Sequence, residues 1–235
     1  MPKESFTFKQ FTLRQDRCAM KVGTDGTLLG AWAYVDGCRA ILDMGTGTGL
    51  VALMAAQRAP EASITAIEID SDAATQAQEN VAGSPFASRV SVLQGDVCTF
   101  EPLMLFDAIL CNPPYFEHAL RCPDRARATA RHDGTLSLDA LAASSARLLT
   151  EEGSLSVVLP VERRTDMVMA AATHGLFLAR ETRVKTLPHK EPKRILMAFT
   201  RHASSCTSQT LCVEEMPGTY SQDFITLMQN FYLKM

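Results

Sequence analysis

Ala40-Ile41-Leu42-Asp43-Met44-Gly45-Thr46-Gly47-Thr48-Gly49 begins with five residues that are apolar except for one carboxylate, and ends with a glycine at every second position. A short apolar run of this kind reads as a strand buried on both faces, and glycines let the backbone turn sharply out of it. Residues 50–58 follow with apolar side chains at helical spacing, so the stretch is a strand, a tight turn and a helix. The pattern then repeats. Strand-like runs at 63–69, 90–94, 106–111 and 154–159 alternate with helical patterns at 71–81, 138–149 and 163–172, the last stopping at His174-Gly175. Such alternation predicts an α/β fold, a mostly parallel sheet with helices on both faces. Ser71 and Ser137 stand where helix caps belong.

The carboxyl-terminal part departs from this rhythm. Runs at 179–186 and 194–201 are separated by the proline-bearing loop Leu187-Pro188-His189-Lys190-Glu191-Pro192, with no helix between them. That predicts an antiparallel pair, and hence an antiparallel strand near the end of the sheet. A short strand at 211–214, a turn at Pro217-Gly218 and an amphipathic helix at 222–232 complete the reading. Residues 202–209, rich in serine, read as the least ordered stretch.

The chain has 235 residues, 46% of them hydrophobic and 21% charged, with a net charge of −3. These values suit one large α/β domain and exclude wholesale disorder. No apolar stretch approaches a membrane span, and the amino terminus is polar, so a cytoplasmic protein without membrane contact is expected. The seven cysteines show no C-x-x-C pair and the five histidines are dispersed, which fits a reducing compartment and no metal site. With a mildly acidic total charge, any nucleic-acid contact must come from local basic patches. Two exist, one at Arg121, Arg125, Arg127 and Arg131, the other at Lys185, His189, Lys190, Lys193 and Arg194.

The glycine turn sits where open α/β folds bind nucleotides, but G-x-G-x-G is not the dinucleotide fingerprint. Asp43 narrows the choice. A carboxylate at the strand tip would repel a pyrophosphate, yet it suits the ammonium and sulfonium end of S-adenosylmethionine. A role as helix cap is its alternative. Gly45, Gly47 and Gly49 would let the backbone approach the ligand. Glu68 is placed to accept from both ribose hydroxyls, with Asp70 as competitor, and Ile69 is left to pack on an adenine face. Asp96 could bind the adenine amino group of the cofactor, beside an apolar wall at Val97.

Asn112-Pro113-Pro114-Tyr115 follows the strand at 106–111. The Asn112 amide oxygen and a backbone carbonyl at Pro113 can together accept both hydrogens of an NH2 group, and Tyr115 offers an aromatic face to a flat substrate. This is the arrangement expected of an amino-group methyltransferase.

Asp43 through Gly49, Glu68, Asp96 and Asn112 through Tyr115, one group per successive strand end, resemble the class I S-adenosylmethionine-dependent methyltransferases with a Rossmann-like sheet. The stretch Met20-Lys21-Val22-Gly23-Thr24-Asp25-Gly26-Thr27-Leu28-Leu29-Gly30-Ala31-Trp32 narrows the resemblance. So do Arg131-His132, the segment from His189 to Arg194, and the ending Phe231-Tyr232-Leu233-Lys234. Over essentially the whole chain these are similar to the bacterial tRNA1(Val) adenine-37 N6-methyltransferases. The resemblance implies a single methyltransferase domain over 1–235, with 1–39 covering the cofactor site and 40–235 as the core. It implies that residues from Lys21 through Thr24 to Thr27 fold over the methionine end of the cofactor. It further implies that tRNA is the partner, contacted by Arg121, Arg125, Arg127, Lys190, Lys193 and Arg194, while Asn112, Pro113, Pro114 and Tyr115 hold the target.

Three rivals stand beside this reading. A protein-glutamine methyltransferase would share Asn112 to Tyr115 but should carry a recognition domain before the fold. A nicotinamide-dependent dehydrogenase would leave Asp43 and Asn112 without a role. A non-catalytic cofactor- or RNA-binding scaffold would have no need of an intact Asn112 to Tyr115.

Overall fold

A central eight-stranded sheet in which one strand runs against the other seven organises the computed structural model, which describes residues 5–16, 22–113 and 136–235. In chain order β1 (Ser5–Thr7) and β2 (Thr12–Arg14) form an antiparallel pair, followed by α1 (Thr24–Trp32), β3 (Ala40–Met44), α2 (Leu50–Arg58), β4 (Ser63–Glu68), α3 (Ser71–Ala82), β5 (Val90–Gln94) and β6 (Phe106–Cys111). Then come α4 (Leu138–Leu148), β7 (Leu149–Pro160), a 3-10 turn at Val161–Arg163, α5 (Arg164–Thr173), β8 (Phe177–Lys185), β9 (Arg194–Thr200) and β10 (Thr207–Cys212). A small hairpin of β11 (Glu214–Met216) and β12 (Thr219–Tyr220) precedes α6 (Gln222–Met228).

The sheet order is β10-β8-β9-β7-β6-β3-β4-β5, and β9 is antiparallel to both of its neighbours. Side chains alternate between faces along a strand, so successive residues of β3 enter different cores. Ile41 packs with α1 and α2, whereas Leu42 and Met44 pack with α4 and α5. Burial on both faces is why β3 and β6 read as continuous apolar runs. An aromatic cluster of Phe8, Phe11 and Tyr232 seals the amino-terminal hairpin to the carboxyl terminus, with Phe8 ring centroids 4.7 Å from Phe11 and 5.9 Å from Tyr232.

Several element limits differ from the sequence expectation, each for a local reason. Asp70, not Ser71, caps α3: its Oδ1 accepts from the Ala73 amide at 2.8 Å, and a carboxylate also suits the positive end of a helix. The strand expected at 154–159 lies in the second half of the longer β7, and the helix expected at 222–232 ends at Met228. The stretch thought least ordered contains the first half of β10, an edge strand paired in parallel with β8. α1 had no counterpart in the sequence reading, because every residue from 26 to 32 is buried and no amphipathic period marks it. Among the described residues no helix is long and apolar enough to cross a membrane, and no cluster of His, Cys, Asp and Glu could hold a metal ion.

Candidate active site

Strand register gathers the candidate residues on one rim. Met44 pairs with Ile67 on one side and with Cys111 on the other, and Glu68 pairs with Gln94. Neighbouring strands lie about 4.8 Å apart, so the carboxyl ends of β5, β4, β3 and β6 span about 15 Å. Along that span stand Asp96, Glu68, the glycine turn with Asp43, and Asn112. The chain moves outward from β3 to β4 and β5, then returns to place β6 on the other flank of β3. This reversal opens the crevice in which such sheets bind ligands.

The turn after β3 needs its glycines. Gly45, Gly47 and Gly49 have φ of +67°, +57° and +86°, in the left-handed region that costs other residues about 1–2 kcal/mol. A Cβ placed on Gly45 or Gly47 would meet nothing within 4 Å, so that side of the turn is open to a ligand. Its other side is braced. The Gly45 and Thr46 amides donate to the Ile67 carbonyl at 2.8 and 3.0 Å, and the Gly47 amide donates to Glu68 Oε2 at 2.9 Å. Asn80 on α3, which sequence reasoning missed, donates through Nδ2 to the carbonyls of Thr48 and Arg14, each at 2.9 Å. The signal for Asn80 was an amide on the inward stripe of that helix, which it shares with Gln76 among alanines and Val81.

Asp43 is 1% exposed, and its Oδ2 accepts from Thr46 Oγ1 at 2.6 Å and from the Ala52 amide at 3.0 Å. It thus ties the glycine turn to the first turn of α2. Burial drives its carboxyl from the ordinary 3.8 up to about 7, with the Thr46 and Ala52 hydrogen bonds opposing and the nearby Glu68 charge adding to the rise. The same burial, reinforced by Asp43 and Glu68, pushes the Cys111 thiol up and leaves it a packing group.

Glu68 stands at the tip of β4 with Oε2 on Gly47 and Oε1 accepting from the Asp70 amide at 3.0 Å. Each carboxylate oxygen retains capacity for a second donor, and Asp70 is engaged as a cap, which favours Glu68 over Asp70 for a ribose. Ile69 beside it is 49% exposed, an apolar face at the rim. Asp96 opens the turn after β5, accepting from the Cys98 amide at 2.9 Å, and Val97 is buried behind it. Arg147 of α4, also unforeseen, fixes this turn by donating to the carbonyls of Val97, Cys98 and Phe100.

Asn112 is half-buried and Pro113 buried at the tip of β6. The first turn of α1 lies against them: a Cβ on Gly26 would sit 2.9 Å from Leu50 Cδ2 and 3.7 Å from Asn112 Nδ2. Thr24, at the start of that turn, is exposed. Lys190 and Lys193 are exposed in the loop between β8 and β9, and because β8 is parallel to β6 the loop emerges on this rim. Arg194 is engaged within the protein, its Nε donating to Asp25 Oδ2 at 2.8 Å. Lys21, Pro114, Tyr115, Arg121, Arg125 and Arg127 lie outside the described residues.

The residues present fit S-adenosylmethionine: an open glycine turn, an acidic strand tip for the ribose, and an exposed isoleucine beside it. The profile of the methyltransferase small domain family matches residues 28–183. A tRNA1(Val) (adenine(37)-N6)-methyltransferase of Phocaeicola vulgatus is 50% identical over 235 residues, covering 100% of both chains. One of Tolumonas auensis is 48% identical, covering 100% of this chain and 99% of its own. Among solved structures, a predicted O-methyltransferase from Agrobacterium tumefaciens superposes with a TM-score of 0.68 at 19% identity, over 88% of this chain and 96% of that one. The CcbJ methyltransferase from Streptomyces caelestis gives 0.57 at 12% identity, over 77% and 91%. At such identities these two speak for the fold alone. The profile match across the glycine turn, Glu68 and Asn112, together with end-to-end relatives of about half-identical sequence, establishes that this chain belongs to the methyltransferase small domain family, among the tRNA1(Val) (adenine(37)-N6)-methyltransferases.

Proposed function

We propose that the protein methylates N6 of adenine 37 in tRNA1(Val), acting in the cytoplasm as a single domain over 1–235 with 1–39 as the cover of the cofactor site. The observation that carries the reading is the placement of Asn112, held at the tip of β6 beside the open glycine turn and against α1. When bound, S-adenosylmethionine supplies an electrophilic methyl group on a positively charged sulfur.

This chain's residues do the rest. Glu68 accepts from the ribose hydroxyls, Ile69 and Val97 flank the cofactor's adenine ring, and Asp96 accepts from its amino group. Asp43, once ionised above about pH 7, sets a negative charge below the cationic end, and Lys21 and Thr24 belong to the segment covering it. The target adenine leaves its stack, because its N6 is otherwise out of reach of a donor in the sheet crevice. Asn112 Oδ1 and the Pro113 carbonyl accept its two amino hydrogens, which directs the nitrogen lone pair toward the crevice. Pro114 keeps the motif rigid, and Tyr115 is assigned the stacking face by the motif alone. A strong general base is unnecessary, since the nitrogen loses its proton after it has become cationic. Lys190 and Lys193 on the rim, with Arg121, Arg125 and Arg127 from the segment after the motif, neutralise phosphates.

The test is incubation with labelled S-adenosylmethionine and total tRNA from cells lacking the protein. Label recovered as N6-methyladenosine in tRNA supports the reading. Label in protein side-chain amide would replace it with the glutamine reaction, and no label in either would favour a binding scaffold.

A further inference from the structure

We propose that the Asp25–Arg194 ion pair is a positioning clamp that links the basic loop between β8 and β9 to the α1 turn resting on Asn112; the inference builds on the methyltransferase reading of Asn112. The two residues are 169 apart in sequence, and the Arg194 Nε to Asp25 Oδ2 distance is 2.8 Å with side chains 36% and 22% exposed. Partial burial leaves the pair less screened by salt than a surface pair.

Both ends of the clamp are anchored differently. Arg194 is the first residue of β9, and its backbone is in register with Pro160 of β7 and Val184 of β8, so its main chain is a fixed point in the sheet. Asp25 is in the first turn of α1, which has no cap of its own: Gly23 occupies the N-cap and makes no side-chain hydrogen bond. An uncapped first turn has unpaired amide donors and frays readily. Polar contacts from outside the helix brace it, among them Arg194 on Asp25 and the Tyr232 hydroxyl donating to Thr27 Oγ1 at 3.1 Å.

The next residue makes this matter. A Cβ on Gly26 would press on the Leu50 side-chain tip at 2.9 Å and lie at van der Waals distance, 3.7 Å, from Asn112 Nδ2, so the turn borders the residue that orients the target amine. Misplacement by about 1 Å at such a site can cost about a hundred-fold in rate. Lys190 and Lys193 occupy the same loop, which is braced by Lys190 N donating to Leu187 O at 3.0 Å and by Lys193 N donating to Val184 O of β8 at 3.1 Å. Arg194 therefore positions Asn112 through α1 and is not one of the phosphate contacts.

The experiment compares Arg194→Ala, Asp25→Ala and the charge-exchanged pair Asp25→Arg with Arg194→Asp. Amide hydrogen exchange over residues 24–30 is read in the protein alone, and methyl transfer is read at saturating tRNA and cofactor. The clamp predicts that each single variant speeds exchange in this turn about ten-fold or more and lowers kcat about ten-fold. RNA affinity and its salt slope stay as in the parent, and the exchanged pair recovers most of both losses. Should a single variant fold poorly, Arg194→Lys, with its charge kept and its planar Nε–H lost, is predicted to fall between parent and Arg194→Ala in both readouts. Unchanged exchange in 24–30 would overturn the clamp. So would a flatter salt slope and weaker RNA binding with kcat intact, which would make Arg194 an RNA contact. If the parent methylates no tRNA, the functional reading fails while the exchange measurement still decides the clamp.

Discussion

Replacing Asp43 by Asn should make the fold less sensitive to pH and the cofactor site weaker. In the folded protein burial raises this carboxyl from the ordinary 3.8 to about 7. Below the unfolded value both states are protonated and the group costs nothing. As pH rises from about 4 to 7 the unfolded chain ionises first, so folding loses stability, and above the folded value the loss is complete. A shift of about three units at 1.36 kcal/mol each amounts to about 4 kcal/mol. Between pH 5 and pH 8 the change is about 2–3 kcal/mol by the same linkage. Asn has no proton to lose, and its amide oxygen can still accept from Thr46 Oγ1 and the Ala52 amide. Urea unfolding at pH 5 and pH 8 should therefore show a difference between the two pH values that is smaller in Asp43→Asn by about that amount. Calorimetric titration at pH 8 should show S-adenosylmethionine binding weakened at least about ten-fold, the equivalent of 1.4 kcal/mol. Equal pH dependence in parent and variant would refute the titration of Asp43 in the fold. Undiminished cofactor affinity would show that its charge has no role at the cationic end.

Asn112→Ala removes the side-chain acceptor for the target amine and should lower kcat by about a hundred-fold or more, with cofactor affinity by calorimetry unchanged; retention of full activity would remove Asn112 from the chemistry. Glu68→Ala withdraws a carboxylate that also braces Gly47, and a charged hydrogen bond of about 1.5–3 kcal/mol predicts cofactor binding weaker by about 10- to 100-fold. Unchanged affinity there would reassign the ribose contact. Replacing Lys190 and Lys193 together by Ala should lower the slope of log RNA affinity against log salt by about 1.5, the release of two phosphate counterions. The same slope as in the parent would exclude this loop from the footprint.

What could be read from the chain follows from where its side chains are buried. β3 and β6 were legible because parallel strands covered on both faces are apolar apart from one aspartate each, and Ser137 was legible as a cap because its hydroxyl has a local partner, the Ala140 amide. α1 was not, since a helix surrounded by α2, the sheet and the carboxyl terminus has no polar face to reveal its period. β10 was hidden for the opposite reason: Thr207, Ser208, Gln209 and Thr210 are exposed, and only backbone pairing with β8 makes them a strand. The strand tips Asp43, Glu68, Asp96 and Asn112 were located by their order after apolar runs, but their partners were not. The tie from Asp43 to Ala52 requires the helix geometry, and the pairing of Asp25 with Arg194 joins residues that only the packing of α1 beside the sheet brings together.

The central claim is that Asn112 and Pro113 present one particular amino group to the methyl donor. It is tested most directly with unmodified tRNA1(Val) transcripts, one with adenine at position 37 and one with guanine there, incubated with labelled S-adenosylmethionine and digested to nucleosides. The expected result is N6-methyladenosine from the first transcript and no label from the second. Equal label in both, or label at a ring nitrogen or a ribose, would contradict it.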